Sequence, residues 1–293
     1  MTGRVLSIHG VADGIDPGRF AFRNLLDTGA FSAFLSTTPP MVPLAGALAG
    51  NGTALTIDDA TRAGAAAARL ARSAGHAVTL FVNAAPVASG TPHFFLLLNS
   101  LLDRLDGTPV VFDGRTYQVQ TMRGKQALRA VLKEPMRSLT AEHQRLEFVR
   151  QLGADWGAGD LDVPAHFATL TLPELASLRD LGVDIQNHGW SHAHHAALTP
   201  LDSAGEIKRG REWLRAELGA DARWFAVPFG DSLPHNVATD CDAWLTLNGA
   251  WQTGWIAPSV FNREELHLTD SGSAPSRWSL RDLVRRISGR RGA

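Results

Sequence analysis

Two short segments of the chain end in side chains that can bind a metal ion. The run 183–187 is followed by His188 and His192, which are spaced H-x3-H, and another apolar run ends in the adjacent carboxylates of Asp58 and Asp59. Neutral imidazole is the commonest protein ligand for zinc-like ions, and one short turn can place two imidazoles on one ion. Adjacent carboxylates repel each other unless a cation lies nearby. We therefore predict one metal ion held by Asp59, His188 and His192.

Composition limits the classes of protein to which the chain can belong. Its 293 residues, 44% of them hydrophobic, are typical of a globular protein with a well-buried core. The formal net charge of −1 gives no overall field that would attract nucleic acid or an anionic membrane. The single cysteine, Cys241, excludes an internal disulfide and a cysteine-based zinc cluster. Any metal must therefore be held by histidine and carboxylate side chains.

The two ends of the sequence bear on where the protein acts. The first nine residues lack the apolar core of a secretory signal, and no apolar stretch is long enough to cross a bilayer, so we expect a cytoplasmic protein. Near the other end, residues 277–291 place apolar side chains at helical spacing among arginines. This pattern predicts a basic helix that docks on its own domain or contacts a membrane surface.

Strands and helices alternate along the segments that must position the candidate ligands. Residues 54–57, 61–74 and 76–83 form a strand, helix, strand unit of the kind that builds a parallel sheet. After mid-chain the alternation resumes with predicted helices over 173–181 and 201–218 and predicted strands over 183–187, 224–227, 243–247 and 265–268. We predict an α/β fold.

The middle of the chain, residues 91–170, interrupts this alternation. It contains a leucine-rich helix, a hairpin around Asp113-Gly114 and two further helices. We therefore expect a single domain over residues 1–293 with a mostly helical insertion at about 91–170. The Pro- and Gly-rich stretch over 36–52 is predicted to be a loop.

Several polar side chains coincide with the ends of predicted strands. They are His9, Asp58, Asp59, His188 and the segment Pro228-Phe229-Gly230. In a (β/α) barrel the working residues lie where strands end, at the carboxyl face. The agreement with this rule predicts that these residues converge on one site.

Four motifs resemble those of a known family, the polysaccharide deacetylases with the NodB homology domain (carbohydrate esterase family 4). Leu55-Thr-Ile-Asp58-Asp59-Ala60 is similar to the family's Thr-Phe-Asp-Asp-Gly, and Asn187-His188-Gly-Trp-Ser191-His192 to its His-(Ser/Thr)-x-x-His. Phe225-Ala-Val-Pro228-Phe229-Gly230 resembles its Phe-Ala-Tyr-Pro-Tyr-Gly, and Ile8-His9-Gly-Val11 a Tyr-His-x-Val start. The motifs occur in the family's order, and the resemblance covers most of the chain outside the insertion.

The resemblance implies a fold and a reaction. The fold would be a distorted (β/α) barrel of the polysaccharide deacetylase type. The reaction would be hydrolysis of an N-acyl group, most simply acetyl, from an amino sugar that is a polymer, a lipid-linked sugar or a small molecule. One divalent ion would take part, Zn²⁺ in the first instance, with Co²⁺ and Ni²⁺ as alternatives.

The resemblance also implies a role for each matching residue. Asp59, His188 and His192 would be the metal ligands and Asp58 the general base. His267, in a loose match to the family's late Leu-His strand, would protonate the leaving amine. The substrate cleft would be lined by His9, Pro228 and Phe229, although His9 could equally be a core histidine.

Two positions depart from the family pattern. Ala60 replaces a glycine, which is tolerable only if the backbone there needs no positive φ. Ala226 stands where the commonest form of the third motif has an arginine that orients the base. Arg263 is the candidate substitute for that charge.

Other interpretations of the same residues stay open. Either aspartate alone could be an N-cap for the helix that follows. The pair His192-Ala193-His194 could be the His-x-His pair of a barrel amidohydrolase acting on another amide. A carbohydrate-binding homologue that has lost catalysis is a third candidate, motivated by the missing arginine. We expect His194 and His195 to lie outside the ligand set, near the metal site or facing solvent.

Overall fold

The computed structural model describes residues 3–105, 107–230, 232–247 and 253–268. Its strands are β1 (Arg4–Ile8), β2 (Val11–Ala12), β3 (Leu26–Asp27), β4 (Thr53–Ile57), β5 (Val78–Val82), β6 (Val110–Phe112), β7 (Arg115–Tyr117), β8 (Asp184–Asn187), β9 (Trp224–Ala226), β10 (Ala243–Thr246), β11 (Gly254–Ala257), β12 (Val260–Asn262) and β13 (Glu264–Glu265). Its α-helices are α1 (Thr28–Thr37), α2 (Leu44–Leu48), α3 (Arg62–Ser73), α4 (Ala84–Ser89), α5 (Phe94–Arg104), α6 (Met122–Ser138), α7 (Glu142–Asp155), α8 (Leu172–Asp180) and α9 (Pro200–Leu218).

Mostly parallel strands form one large sheet whose two ends are joined by a single segment. The strand order is β11-β12-β10-β9-β8-β5-β4-β1-β13, and of these pairs only β11 with β12 is antiparallel. β12 pairs with β10, whereas β13, which is separated from β12 only by Arg263, pairs with β1. Residues 260–265 therefore contact both ends of the sheet. This closure produces the distorted (β/α) barrel, and the predicted fold class is confirmed.

The strands at the middle of the sheet are buried on both faces. Every residue of β5 is buried, and in β4 only the first residue is partly exposed. Such continuous apolar runs are typical of parallel strands that helices cover. Helix α3 covers this region with fully buried alanines, among them Ala67, Ala68 and Ala71, whose small side chains allow a close approach. The core that supports the ends of β4 and β5 is therefore dense and rigid.

Helix α3 has the boundaries that its sequence predicts within a few residues. The hydroxyl of Thr61, its N-cap, accepts a hydrogen bond from the Gly64 N–H, and Gly75 follows the helix with a φ of 84°. A glycine with positive φ is the usual end of a helix. The turn between β4 and α3, which carries the two aspartates, is therefore anchored on its helical side.

Residues 91–170 contain α5, the β6–β7 hairpin, α6 and α7. Their apolar side chains form a cluster separate from the barrel core, which includes Leu97, Leu101, Leu128, Leu132 and Val149. The ring of Phe95, on α5, lies 4.5 Å from the ring of His192. The mostly helical segment therefore forms a wall beside the carboxyl ends of the barrel strands.

The prediction of a loop over residues 36–52 is wrong for its central part, which forms α2. Pro43 and the glycines around it are typical of loops, so the short apolar pattern of this helix is not recognisable from the sequence. Leu44 and Ala47 are buried in a cluster with Val5 and Phe81, which is separate from the cluster that contains the alanines of α3. Tertiary packing therefore stabilises a short helix that local propensity does not favour.

Two predictions from the sequence concern membranes, one on membrane-spanning segments and one on a basic helix. Among the described residues, no helix is both long enough and apolar enough to span a bilayer. The predicted basic helix over residues 277–291 lies outside the described residues. Its contact with a membrane surface stays a prediction.

Helix α9 packs directly against the turn that follows β8. A Cβ added at Gly210 would lie 2.5 Å from Asn187 Oδ1 and 2.8 Å from the backbone carbon of Gly189. The Asn187 side chain donates to the Ile207 carbonyl and accepts from the Gly189 N–H. The absence of a side chain at Gly210 therefore lets the helix hold the turn that begins at His188.

Gly210→Ala should destabilise the protein by about 1–3 kcal/mol, the usual cost of overpacking, because the Gly189 backbone must move. Gly205→Ala is the matched control in the same helix, since nothing lies within 4 Å of an added Cβ there. This control should stabilise the protein by about 0.5–1 kcal/mol through helix propensity. Urea unfolding of both variants measures the difference. Equal changes in unfolding free energy would contradict the close packing of α9 on the turn.

Candidate metal centre

The turns after β4 and β8 meet at one edge of the sheet. Both strands pair in parallel with β5, so their carboxyl ends lie side by side. The N–H of Asp58 donates to the Ile8 carbonyl, and the N–H of His188 donates to the Val82 carbonyl. Neighbouring strands therefore fix the backbone just where the polar side chains begin.

Asp59, His188 and His192 converge on one small volume. Asp59 Oδ1 lies 3.4 Å from His188 Nε2 and 3.2 Å from His192 Nε2. The three candidate donor atoms all lie within 4.8 Å of one another, and all three residues are buried. This spacing allows one ion to contact all three atoms, with further positions for small ligands.

The hydrogen-bond partners of these residues test whether they fit a metal. His188 Nδ1 lies 2.8 Å from the Ala226 carbonyl, to which it donates, so its Nε2 carries a lone pair toward Asp59. Asp59 Oδ1 and His192 Nδ1 are buried without a hydrogen-bond partner in the described part of the chain. A buried, unpartnered carboxylate oxygen facing two imidazole nitrogens is costly without a cation. The donor set therefore fits a divalent ion.

Electrostatics favours ionised Asp59 and neutral His192. Burial opposes ionisation of Asp59, but contacts with His188 and His192 and the proximity of His9 hold its pKa well below the usual value. Burial lowers the pKa of His192 to about 4 despite the neighbouring carboxylate. Burial would also lower the pKa of His188, but Asp58 and Asp59 raise it. A metal would therefore bind His192 as a neutral imidazole, whereas at His188 it would compete with a proton for the Nε2 lone pair.

The turns that carry these residues use left-handed backbone conformations. The φ angles are 79° at Asp59, 51° at Ala60, 54° at His192 and 61° at Phe229. Alanine therefore occupies position 60 at a positive φ, so the condition set from the sequence for this replacement is not met. Its methyl group is fully buried in the barrel core, which holds the residue in a conformation that costs an L-residue about 1–2 kcal/mol.

Arg263 compensates the charge of Asp58. Its Nη1 lies 2.8 Å from Asp58 Oδ1 and its Nη2 lies 2.8 Å from Asp58 Oδ2, a bidentate geometry, and Nη1 also donates to Thr56 Oγ1 at 3.1 Å. Burial opposes ionisation of Asp58, but the Arg263 guanidinium, together with the nearby His188 and His9, lowers the pKa of this carboxyl. The side chain that closes the barrel between β12 and β13 therefore provides the cation that Ala226 cannot.

Comparisons with known proteins agree with this geometry. The family model described as "Polysaccharide deacetylase" matches residues 163–242, which include β8, His188 and His192. The resemblance to the polysaccharide deacetylases is confirmed. No protein of known annotation matches the sequence in a search of curated proteins.

Two solved structures have a similar fold. The deacetylase PplD of Streptococcus pyogenes, solved in complex with acetate, is 14% identical with a TM-score of 0.55, and the match covers 97% of each chain. IcaB from Ammonifex degensii is 15% identical with a TM-score of 0.52, and the match covers 91% of this chain and 93% of IcaB. The likeness extends over the insertion as well as the barrel.

The predicted cleft residues differ in how close they lie to the candidate metal centre. His9 Nε2 is 4.0 Å from Asp59 Oδ2, and its side chain is 23% exposed, so it lies at the centre rather than in the core. The Phe229 ring lies 4.4 Å from the His192 ring and is partly exposed, whereas Pro228 is buried behind it. His9 and Phe229 therefore border the open side of the centre.

His267, the predicted general acid, is not part of the buried cluster. Its side chain is 51% exposed, and its Nε2 lies 3.5 Å from the Glu265 carboxylate. The neighbouring Leu266 packs into the core cluster that includes Leu6 and Leu55. Its role in proton transfer stays a prediction.

The histidines after the ligand pair are buried, so of the two expected positions they occupy the one near the metal site and not one facing solvent. The His194 ring stacks on Phe229 at a centroid distance of 3.7 Å, and His195 Nδ1 is 2.7 Å from Ser203 Oγ. Burial lowers the pKa of each imidazole to about 3. Both are neutral side chains that support the turn, and neither belongs to the group of possible metal ligands.

Sequence reasoning missed several residues that hold the ligands in place. His93 Nε2 lies 2.6 Å from the Asp59 carbonyl, and Arg145 Nη2 donates to the carbonyl and the hydroxyl of Ser191. The Glu206 carboxylate accepts from the N–H and hydroxyl of the same serine. These residues come from the insertion and from α9, and no local motif marks them.

The metal assignment predicts that His188→Ala and His192→Ala each lose tight binding of one divalent ion, because each removes one of three donors. His194→Ala is the control, since its ring stacks on Phe229 and contributes no donor. Elemental analysis of the purified, folded variants measures the metal content. A full equivalent in both ligand variants would contradict the site, and loss only in His194→Ala would favour the amidohydrolase arrangement.

Removal of Arg263 should leave a buried carboxylate without its cation. We expect Arg263→Met to lower the unfolding free energy by about 3–5 kcal/mol at neutral pH, as found when one partner of a buried pair is removed. The pKa of Asp58 rises in this variant, so the deficit should shrink as the pH falls and a proton neutralises the carboxylate. Urea unfolding at neutral and mildly acidic pH measures this.

The matched comparison is the double variant Asp58→Asn with Arg263→Met, which removes both charges. It should be more stable at neutral pH than Arg263→Met alone. Equal stability of the single and double variants would show that Arg263 does not serve Asp58.

Proposed function

We propose that this protein is a metal-dependent hydrolase that removes an N-acyl group, most simply acetyl, from an amino sugar. One observation carries the proposal. The buried carboxylate of Asp58, which is bonded by Arg263, lies beside the three converging donors of Asp59, His188 and His192. The family-model match supports the reaction class. The acetate in the similarly folded deacetylase PplD supports acetyl as the group removed.

In this reaction a divalent ion held by Asp59, His188 and His192 would supply Lewis-acid activation of a water molecule and of the acyl carbonyl. Asp58 accepts the proton of the attacking water, and the bidentate contact with Arg263 holds its two oxygens in fixed positions. Phe229, at the open side of the centre, has a left-handed backbone conformation, and its backbone N–H is the candidate donor to the oxyanion that forms on the acyl group.

The leaving amine needs a proton, and the chain offers two candidate donors. His267 stays the prediction from sequence, and His9 is the candidate nearer the centre, partly exposed and 4.0 Å from Asp59. The buried neutral rings of His194 and His195 do not hold a proton at neutral pH. The donor is the residue whose replacement by Ala slows an amide substrate much more than an activated aryl acetate, whose leaving group needs no proton.

The other candidate functions have less support. The barrel amidohydrolase interpretation needs His194 as a ligand, whereas its ring stacks on Phe229. The non-catalytic interpretation was motivated by the arginine that is missing at position 226. Arg263 supplies that charge to Asp58, so this reason no longer applies. The donor set of two imidazoles and one carboxylate suits Zn²⁺, Co²⁺ or Ni²⁺.

Acetate release from a panel of N-acetylated amino sugars tests the proposal. The panel contains polymeric, lipid-linked and small substrates, and each is assayed with added Zn²⁺, Co²⁺ or Ni²⁺. Release from at least one class, dependent on metal, is expected. No release from any would contradict the proposed function.

Asp58→Asn should lower turnover by roughly 10²- to 10⁴-fold, the usual contribution of a positioned base, while leaving the metal content near that of the parent. The variant keeps the size of the side chain and removes its ability to accept a proton. Turnover and elemental analysis are measured on the same preparation. Loss of metal together with activity would mean that Asp58 is a ligand.

A further inference from the structure

Four cationic side chains line one cavity beside the metal centre. Arg129, Lys133 and Arg137 follow one face of α6 at i, i+4 and i+8, and Arg23 joins them from the segment before β3. The cavity has a volume of about 480 Å³, and its lining also includes Gln126, Ala130 and Glu134. We call these four side chains the basic cluster.

The charges of the basic cluster are only partly compensated. Arg137 pairs with Glu134 at 2.9 Å, but within the described residues no carboxylate lies within ion-pair distance of Arg23, Arg129 or Lys133. Like charges at i and i+4 destabilise a helix. Burial, with the charges of Arg129, Arg23 and Arg137, lowers the pKa of Lys133 to about 8. The cluster therefore carries unfavourable repulsion that an anion would relieve.

The basic cluster lies next to the metal centre. Arg23 and Arg129 also line a cavity of about 40 Å³ together with His9 and Asp59. A substrate bound at the centre can therefore reach these cations.

The geometry of Arg129 suits it to bind a ligand. Its Nε donates to Asn99 Oδ1 at 3.0 Å, and this is the only hydrogen bond of its guanidinium among the described residues. The guanidinium carbons of Arg129 and Arg23 lie 5.9 and 6.0 Å from the centre of the Phe20 ring. The guanidinium is therefore held in place while its terminal nitrogens remain for a bidentate oxyanion.

We propose that Arg23, Arg129 and Lys133 bind a phosphate group carried by the N-acylated sugar substrate. This inference rests on the proposed function and specifies its substrate class. Three uncompensated cations match a phosphate dianion better than a single carboxylate, and guanidinium groups match the geometry of phosphate oxygens. The net charge of the whole chain is −1, so the excess of positive charge is a local property of the cavity.

Direct binding of inorganic phosphate tests the site without catalysis. Binding is measured by titration calorimetry on the full chain. The protein is depleted of metal, so that no bound metal ion competes with the basic cluster for phosphate. We expect saturable binding that weakens about 10- to 100-fold in Arg129→Met and in Lys133→Met, since each loses one charge-assisted contact. Lys208→Met is the matched control, because this exposed lysine on α9 pairs with Glu212 and its loss removes the same charge.

The thermal stability of the same variants separates loss of binding from misfolding. Lys133→Met removes a partly buried cation from among three others, so its melting temperature without phosphate should equal or exceed that of the parent. Phosphate should raise the melting temperature of the parent and of Lys208→Met, but not of Lys133→Met. No saturable binding by the parent, or equal binding by Lys133→Met and Lys208→Met, would overturn the inference.

Matched substrates then connect the site to the reaction. An N-acetylated amino sugar is compared with its phosphate monoester and with a uronate of the same size, by kcat/KM for acetate release. We expect the phosphate ester to be favoured at least about tenfold through KM, and the preference to be lost in Arg129→Met and Lys133→Met. Equal rates for neutral and phosphorylated sugars, or a preference for the uronate, would overturn the phosphate assignment and leave the proposed function intact. Acetate release from none of the three sugars or the wider panel would contradict the proposed function, whereas phosphate binding would stand.

Discussion

The burial of two adjacent carboxylates, Asp58 and Asp59, is the constraint on which the rest of the structure depends. A buried charge is stable only when it is paired and hydrogen-bonded. The protein itself neutralises Asp58 with a bidentate guanidinium, but it leaves Asp59 Oδ1 facing two imidazole nitrogens. The two neighbours therefore differ in chemistry, because one is compensated internally and the other is arranged for an external cation.

The closure of the barrel and the compensation of Asp58 depend on the same few residues. Arg263 lies between β12 and β13, the two short strands that pair with opposite ends of the sheet. Its guanidinium bonds Asp58 and Thr56 near the end of β4, and its carbon Cζ lies 5.5 Å from the Phe81 ring centre on β5. A distortion of the closing segment would therefore displace the carboxylate, so that fold and site are coupled.

The helical segment over residues 91–170 gives the centre two unlike walls. Phe95 packs its ring on His192 and, with Phe229, makes an apolar border over the ligands. Helix α6 presents cations on the other side. His93 and Arg145 from the same segment hold the backbone of Asp59 and Ser191. The barrel thus delivers the polar side chains, whereas the insertion positions them and shapes the space around them.

The sequence alone determined the fold class and the grouping of Asp59, His188 and His192. These depend on local patterns, since an apolar strand followed by polar ligands places them at one edge of a parallel sheet. The approximate boundaries of α3 were likewise readable, because Thr61 and Gly75 mark them.

Only the tertiary structure decided the features that depend on distant packing. The sequence offered Arg263 as a candidate for the arginine missing at Ala226, but its bidentate contact with Asp58, 205 residues away along the chain, depends on the closure of the barrel. The positive φ of Ala60 and the formation of α2 follow from burial in a packed core, which overrides local propensity. His93 lies at the centre without any motif, because its position is set by the packing of residues 91–170 against the barrel.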